Sequence, residues 1–150
     1  MDMRRFEVVT KFDGLAKLPT RADNKSAGYD FYTMADKVCI YPNSLVYIQT
    51  GIKALMPEWE YLQLSLRSGF ATKNLCIMPN SPGIIDASYY NNVSNEGHIM
   101  VPVMNLSDQL LIIEPYTRIA RGIFLAYYTV ENDKVIMEER IGGFGSSKET

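Results

Sequence analysis

The segment YLQLSLR, residues 61–67, sets Leu62, Leu64 and Leu66 on one side of an extended chain and Tyr61, Gln63, Ser65 and Arg67 on the other. A period of two is what a half-buried strand needs. Wound into a helix, the same residues would scatter their leucines around the axis. GIKALMP repeats the pattern with Ile52, Ala54 and Met56. Further strand candidates lie at residues 6–10, 38–41, 45–49, 75–78, 99–104, 110–114, 122–130 and 134–137. Turn signals separate them: Pro42–Asn43, Thr50–Gly51, Pro57, Pro79–Asn80, Ser81–Pro82–Gly83 and 105–107. No stretch carries three turns of helical periodicity. One short helix is credible, from about Phe70 to Asn74, with Ser68 capping it through its hydroxyl. Short strands joined by short turns predict an all-β sandwich or distorted barrel.

With 150 residues and neither repeat nor linker, the chain reads as a single domain, 1–150, whose last residues form an arm beyond the final strand. Asp plus Glu number 17 against 15 Lys plus Arg, and no basic run is present. That argues against a nucleic-acid polymer as partner but leaves room for a small basic pocket. The start, MDMRRFEVVTKFDG, has the composition of neither a signal peptide nor a membrane anchor, so an intracellular, cytoplasmic location is expected. Cys39 and Cys76 stand apart and read as small buried hydrophobes. His98 is the only histidine, which excludes histidine clusters for zinc. It reads as a surface or loop residue.

Several polar clusters invite chemistry, each with a plain structural alternative. In SAGYDFYT, residues 26–33, Asp30 sits among aromatic residues, and Gly28 allows a neighbour close to the backbone. Asp30 is placed either to meet a hydrated Mg2+ carried by substrate phosphates or to begin a strand in solvent. In LRSGFA, residues 66–71, a strand ends and Arg67, Ser68 and Gly69 lead into the helix. This is an anion site or an ordinary helix start with a surface arginine. In NSPGIIDASYY, residues 80–90, Ile84 and Ile85 supply core contacts that would fix Asp86, and a fixed aspartate can orient and deprotonate a water. Tyr89 offers a ring for a sugar pocket and Asn80 an amide for the edge of a base; turn stabilisation and strand packing are the alternatives. YTRIARG, residues 116–122, places Arg118 and Arg121 for an ion pair or for phosphate.

The chain ends RIGGFGSSKET, residues 140–150. Ordering glycines costs backbone entropy, so either this is a frayed end or the segment closes on a ligand with a flat end and an anionic end. It matches neither the Walker pattern nor GxGxxG, since Lys148 lacks the preceding glycine and occupies the place of the third.

In their order along the chain these clusters resemble the homotrimeric deoxyuridine triphosphate nucleotidohydrolases, the dUTPase family. The likeness runs through AGYDFYT (27–33), RSGFA (67–71), GIIDASY (83–89), TRIA (117–120) and RIGGFGSS (140–147). It implies a jelly-roll-like subunit, a homotrimer with sites shared between subunits, and Mg2+-assisted hydrolysis of dUTP to dUMP and pyrophosphate. By the same resemblance Asp86 activates the attacking water, Tyr89 excludes a 2′-hydroxyl and Asn80 lies near uracil. Arg67, Ser68 and Gly69 contact phosphate, and Asp30 reaches the metal through water. Gly83, Ile85 and Arg121 belong with the substrate-binding residues. Arg140, Phe144, Gly145, Ser146 and Ser147 match a flexible arm, residues 139–150, with Phe144 over uracil and the polar groups toward the terminal phosphate.

The chain departs from the family pattern at Arg121, where glutamine is usual, and at Leu66, where proline is common. The stretch after Tyr89 also looks long, since alternation resumes only near Ile99. This 90–98 loop is a place for altered base selection or for a regulatory protein partner. Rival readings are a dCTP deaminase of the same fold, a nucleotide-binding regulator that signals through a protein, and a purely structural jelly roll.

Overall fold

The computed structural model describes residues 3–136. Its ten strands are β1 (Arg5–Val8), β2 (Tyr29–Tyr32), β3 (Val38–Ile40), β4 (Leu45–Leu55), β5 (Glu60–Leu66), β6 (Cys76–Ile77), β7 (Gly83–Asp86), β8 (Ile99–Asn105), β9 (Leu111–Ile113) and β10 (Arg118–Ala126). One α-helix, α1 (Ser68–Asn74), follows β5, and single 3₁₀ turns lie at Thr10–Phe12 and Ala87–Tyr89. The strands form a sheet of order β1-β4-β8-β6, a second of order β2-β10-β5-β7, and the ribbon β3-β9.

The alternation in β5 does what its period requires. Leu62 and Leu64 are buried beneath the second sheet, while Tyr61, Gln63 and Ser65 face outward. From the first sheet Ile48, Ile52, Ile99, Val101 and Val103 meet them in one continuous core with Phe31, Ile85 and Ile119. Phe6 of β1 crosses the gap, its ring centroid 5.4 Å from that of Phe31 and 5.5 Å from that of Phe124. Two sheets that share one core make the expected jelly-roll-like all-β fold. The sheets stay open at their edges instead of closing into a full barrel.

Several expectations about elements change. The predicted strands at 45–49 and 52–56 are one strand, because Thr50–Gly51 forms a bulge and not a reversal. The register slips between Gln49 and Ile52, and Gly51 supplies the positive φ of 71°. The Thr50 hydroxyl donates to the Ile99 carbonyl at 2.6 Å and holds the bulge against β8. Strand β10 begins at Arg118, earlier than expected, because Ala120 to Ala126 pair without interruption with β5. The segments YDFY and GIID form strands that periodicity alone did not single out. Residues 134–136 are not a strand. Ser68 lies inside the helix, not at its cap: Arg67 holds the N-cap position, and no side chain caps the turn. Cys76 is buried, which pushes its thiol pKa up, but Cys39 is exposed because it sits on the outer side of the β3–β9 ribbon.

Candidate active site

Strand register across the second sheet arranges the polar residues. Antiparallel residues that face each other point to the same side. Asp30 faces Arg121, and Arg121 faces Ser65, giving one cross-strand row. Leu125 faces Tyr61, and Tyr61 faces Asp86, giving another. Along β5 the rows are four residues apart, about 14 Å. Each row borders its own hollow.

The first hollow, about 310 Å³, is lined by Asp30, Ser65, Arg67, Ser68, Gly69 and Arg121 among others. Asp30 is only 5 % exposed, too buried for a solvated strand start. Its carboxylate lies 3.4 Å from Arg67 Nε and 3.5 Å from an Arg118 guanidinium nitrogen. Among the described residues Arg67 and Arg121 line the hollow against the single carboxylate of Asp30, which Arg118 also pairs, and this balance favours an anion. Gly28 has a specific steric reason. A Cβ there would lie 2.5 Å from Cγ and 2.6 Å from Nε of Arg121, so the arginine stem rests on the glycine backbone. At Gly69 a Cβ would meet nothing within 4 Å, so the chain's own packing does not demand glycine there. Its absence of a side chain keeps the hollow open.

The donor set suits a metal that arrives with a ligand. The described residues contain no group of three or more His, Cys, Asp or Glu able to cage an ion. Among the described residues Asp30, flanked by arginines, is the one carboxylate lining this hollow. A water-mediated contact to Mg2+ bound chiefly by phosphates fits such a site.

The second hollow, about 460 Å³, is lined by Met56, Glu58, Asp86, Ala87, Ser88 and Tyr127. Asp86 ends β7 and is exposed, while Ile85 before it is buried against Leu62's partner position in the core. The Ile85 side chain therefore anchors the strand, and only its backbone is open to a ligand. Gly83 is buried at the other end of β7, opposite Leu64. Asn80 is exposed on the preceding turn, its Nδ2 3.7 Å from where a Gly83 Cβ would stand. Tyr89 follows Asp86 through the 3₁₀ turn and is 3 % exposed. Its hydroxyl donates to the His98 carbonyl at 2.5 Å and accepts from Asn95 Nδ2 at 2.8 Å.

His98 departs furthest from the surface or loop position expected of it. It is 3 % exposed, not a surface residue, with its ring 4.7 Å from that of Phe12. Its Nε2 accepts the Gly51 N–H at 2.9 Å, so the imidazole satisfies the donor that the bulge frees. Burial, aided by Lys11, lowers its pKa to about 4 and keeps it neutral. Sequence spacing gives no sign of this, because a Thr-Gly pair has the composition of a turn and the bulge that needs the acceptor forms only when β4 pairs with β8. The structure also resolves Arg118, left open between ion pair and phosphate contact, as a partner of Asp30. Arg140, Phe144, Gly145, Ser146 and Ser147 lie outside the described residues.

An open jelly-roll-like subunit with an arginine-rich hollow and a separate exposed aspartate defines a class of protein that handles anionic ligands. The comparisons narrow it: the chain belongs to the dUTPase family, whose model matches residues 15–148. Deoxyuridine 5'-triphosphate nucleotidohydrolase of Lactococcus lactis is 39 % identical over 149 residues, covering 98 % of this chain and 99 % of the relative. The Leptospira interrogans protein of the same name is 34 % identical, covering 93 % and 96 %. Among solved structures, dUTPase from Streptococcus mutans superposes with a TM-score of 0.79 at 36 % identity, over 85 % of this chain and 98 % of that one.

Proposed function

We propose that this chain hydrolyses dUTP to dUMP and pyrophosphate by in-line attack of water on the α-phosphorus. The observation that carries the reading is the pairing of two unlike hollows on one outer sheet face, one bearing Asp86 and the other the guanidiniums around Asp30. In this reading Asp86 aligns and deprotonates the water, Tyr89 walls the sugar, and Asn80 meets the base edge. Arg67, Ser68, Gly69 and Arg121 take the phosphates, and Asp30 holds a water of Mg2+. When bound, that metal offsets the charge of the triphosphate. A phage phi11 dUTPase of 20 % identity, which shares the fold, is described with a structural Mg(II) ion.

The reading extends to a homotrimer. Separate hollows within one chain accord with what the family resemblance implies, a site assembled from several subunits, with the Asp86 side of one copy set against the guanidinium side of another. The 139–150 arm then closes the site, with Phe144 on the base and Arg140, Gly145, Ser146 and Ser147 toward the phosphates. Among the described residues no helix is long and apolar enough to cross a membrane. A cytoplasmic location, host cytoplasm for a virus-encoded chain, accords with a nucleotide substrate. A regulatory contact through the 90–98 loop is a second reading, favoured by Val93, which stands 82 % exposed at its tip.

The test is pyrophosphate release from dUTP, UTP, dCTP and dTTP, each with Mg2+ and with excess chelator. Turnover confined to dUTP and abolished by chelator is expected. Ammonia release from dCTP would identify a deaminase instead, and inertness toward all four would leave only a nucleotide-binding regulator.

A further inference from the structure

The loop after Tyr89 folds back on the tyrosine itself. Asn92 Nδ2 donates to the Tyr89 carbonyl at 2.8 Å and to Asn95 Oδ1 at 2.7 Å. Asn95 Nδ2 donates to the Tyr89 hydroxyl at 2.8 Å, and that hydroxyl gives its own proton to the His98 carbonyl. The orientation of the Asn95 amide is fixed by its surroundings. The Gly97 N–H, 3.1 Å away, can only donate, so the amide oxygen must face it and the nitrogen must face the tyrosine. The tyrosine is thus gripped at its backbone and at the far end of its ring by two amides of one loop.

The loop is rooted on both sides. Asn91 and Glu96 close it by a backbone bond of 3.1 Å, and both hold positive φ, as does Gly97. A Cβ at Gly97 would lie 2.9 Å from the Tyr89 carbonyl oxygen, so only glycine lets the loop return this close. The buried Lys53 ammonium donates to Asn91 Oδ1 at 2.6 Å and lies 3.5 Å from Glu96. Glu96 also accepts from the Thr10 amide at 2.7 Å, and the Tyr90 hydroxyl donates to Glu7 at 2.7 Å. Asn95 therefore hangs from a frame tied to β1, β4 and the Thr10 turn, and its contact with Tyr89 is not a floppy one.

We propose that Asn95 is a positioning residue for sugar selection: it fixes the Tyr89 ring where a 2′-hydroxyl would collide. The proposal rests on the reading of Tyr89 as the sugar wall. Without Asn95 the hydroxyl keeps only its bond to the His98 carbonyl, and the ring tilts more readily to admit a ribose. With Asn95 in place, tilting must break a second buried hydrogen bond, which strengthens discrimination against UTP.

The test compares kcat/KM for dUTP and UTP in the full chain. Asn95→Ala should lower the dUTP-to-UTP ratio about fivefold, mainly by raising turnover of UTP. Asn95→Asp keeps the oxygen used by Gly97 and Asn92 but presents an acceptor to the hydroxyl; it should lower the ratio similarly and guards against loop collapse in the alanine variant. In a Tyr89→Phe background the hydroxyl is gone, and Asn95→Ala should change the ratio no further. An unchanged ratio in both Asn95 variants, with Tyr89→Ala lowering it, would overturn the role of Asn95 alone. An equal fall with and without the hydroxyl would overturn it too, since the effect would not pass through that bond. A ratio indifferent to Tyr89→Ala would overturn the sugar-wall reading and this proposal with it.

Discussion

The two hollows on the outer sheet face differ in how their chief polar residues are placed. In the arginine-rich hollow strand register brings Asp30 and Arg121 to Ser65, and the run 66–69 that leads into the helix adds Arg67, Ser68 and Gly69. Positions 56, 58 and 127 complete the aspartate hollow, but Asp86 and Tyr89 themselves belong to one continuous stretch, where β7 ends at Asp86, a 3₁₀ turn follows and the next loop secures Tyr89. A site that attracts charge can be spread over a sheet, because Coulomb forces are long-ranged and forgiving of small shifts. A group that must aim one water and exclude one hydroxyl needs tighter placement, and short-range chain geometry provides it.

The sharpest way to break this comparison is to remove function from the aspartate side while leaving the arginine side intact. Asp86→Asn keeps size and strand pairing but loses the base. Turnover of dUTP should fall by about 10²–10⁴-fold with little change in KM, read by steady-state pyrophosphate release. Full activity in this variant would place the base elsewhere. Removing charge from the other hollow should act more gradually. Arg67→Ala leaves Asp30 with Arg118, and kcat/KM should drop by about 10²-fold at low salt, the gap from wild type narrowing as added salt screens the lost charge. If the variant instead melts many degrees lower but turns over normally, the Arg67–Asp30 pair is structural and the hollow is not a phosphate site.

The contrast also explains what the sequence disclosed. The period of β5 and the apolar partners around it were readable because burial on one sheet face imposes alternation. Asp86 and Tyr89 were readable as a pair because local spacing carries their geometry. The Asp30–Arg121–Ser65 row was not, since pairing register is a long-range property that no single segment encodes. The bulge at Gly51 and the burial of His98 were hidden for a related reason. A Thr-Gly pair reads as a turn unless its freed N–H has a known acceptor, and that acceptor lies at residue 98. The return of Asn92 and Asn95 to Tyr89 depends on positive φ at Asn91 and Glu96, which residue identity does not announce.

His98 ties the frame of the aspartate side to pH. Its pKa of about 4 in the fold lies below the ordinary 6.5, so the unfolded chain binds the proton more readily. Its contribution to stability is therefore complete above about pH 6.5 and is lost as pH falls toward 4, up to about 3 kcal/mol in all. His98→Gln, which retains an acceptor for the Gly51 N–H, should flatten the fall of melting temperature over that window. A wild-type curve that is already flat between pH 6.5 and 4 would show that the imidazole is not held neutral by burial.

Gly28→Ala is the gentlest probe, and it distinguishes the two hollows by touching only one. The new methyl would stand 2.5 Å from Arg121 Cγ, inside any tolerable contact. The backbone of β2 and the core beneath it need not move, because the Arg121 side chain is exposed and can swing outward. Stability should therefore change by less than about 1 kcal/mol. The guanidinium, however, would leave the row it shares with Asp30 and Ser65. If Arg121 contributes to phosphate binding, KM for dUTP should rise about threefold at unchanged kcat, since one rim charge acts mainly on ground-state affinity. An unchanged KM would mean that the arginine found where glutamine is usual is a rim residue without a ligand, leaving Arg67 as the hollow's principal phosphate contact. A loss of kcat instead would show that charge on this side is needed at the reacting phosphorus, and the division of labour between the hollows would then have to be redrawn.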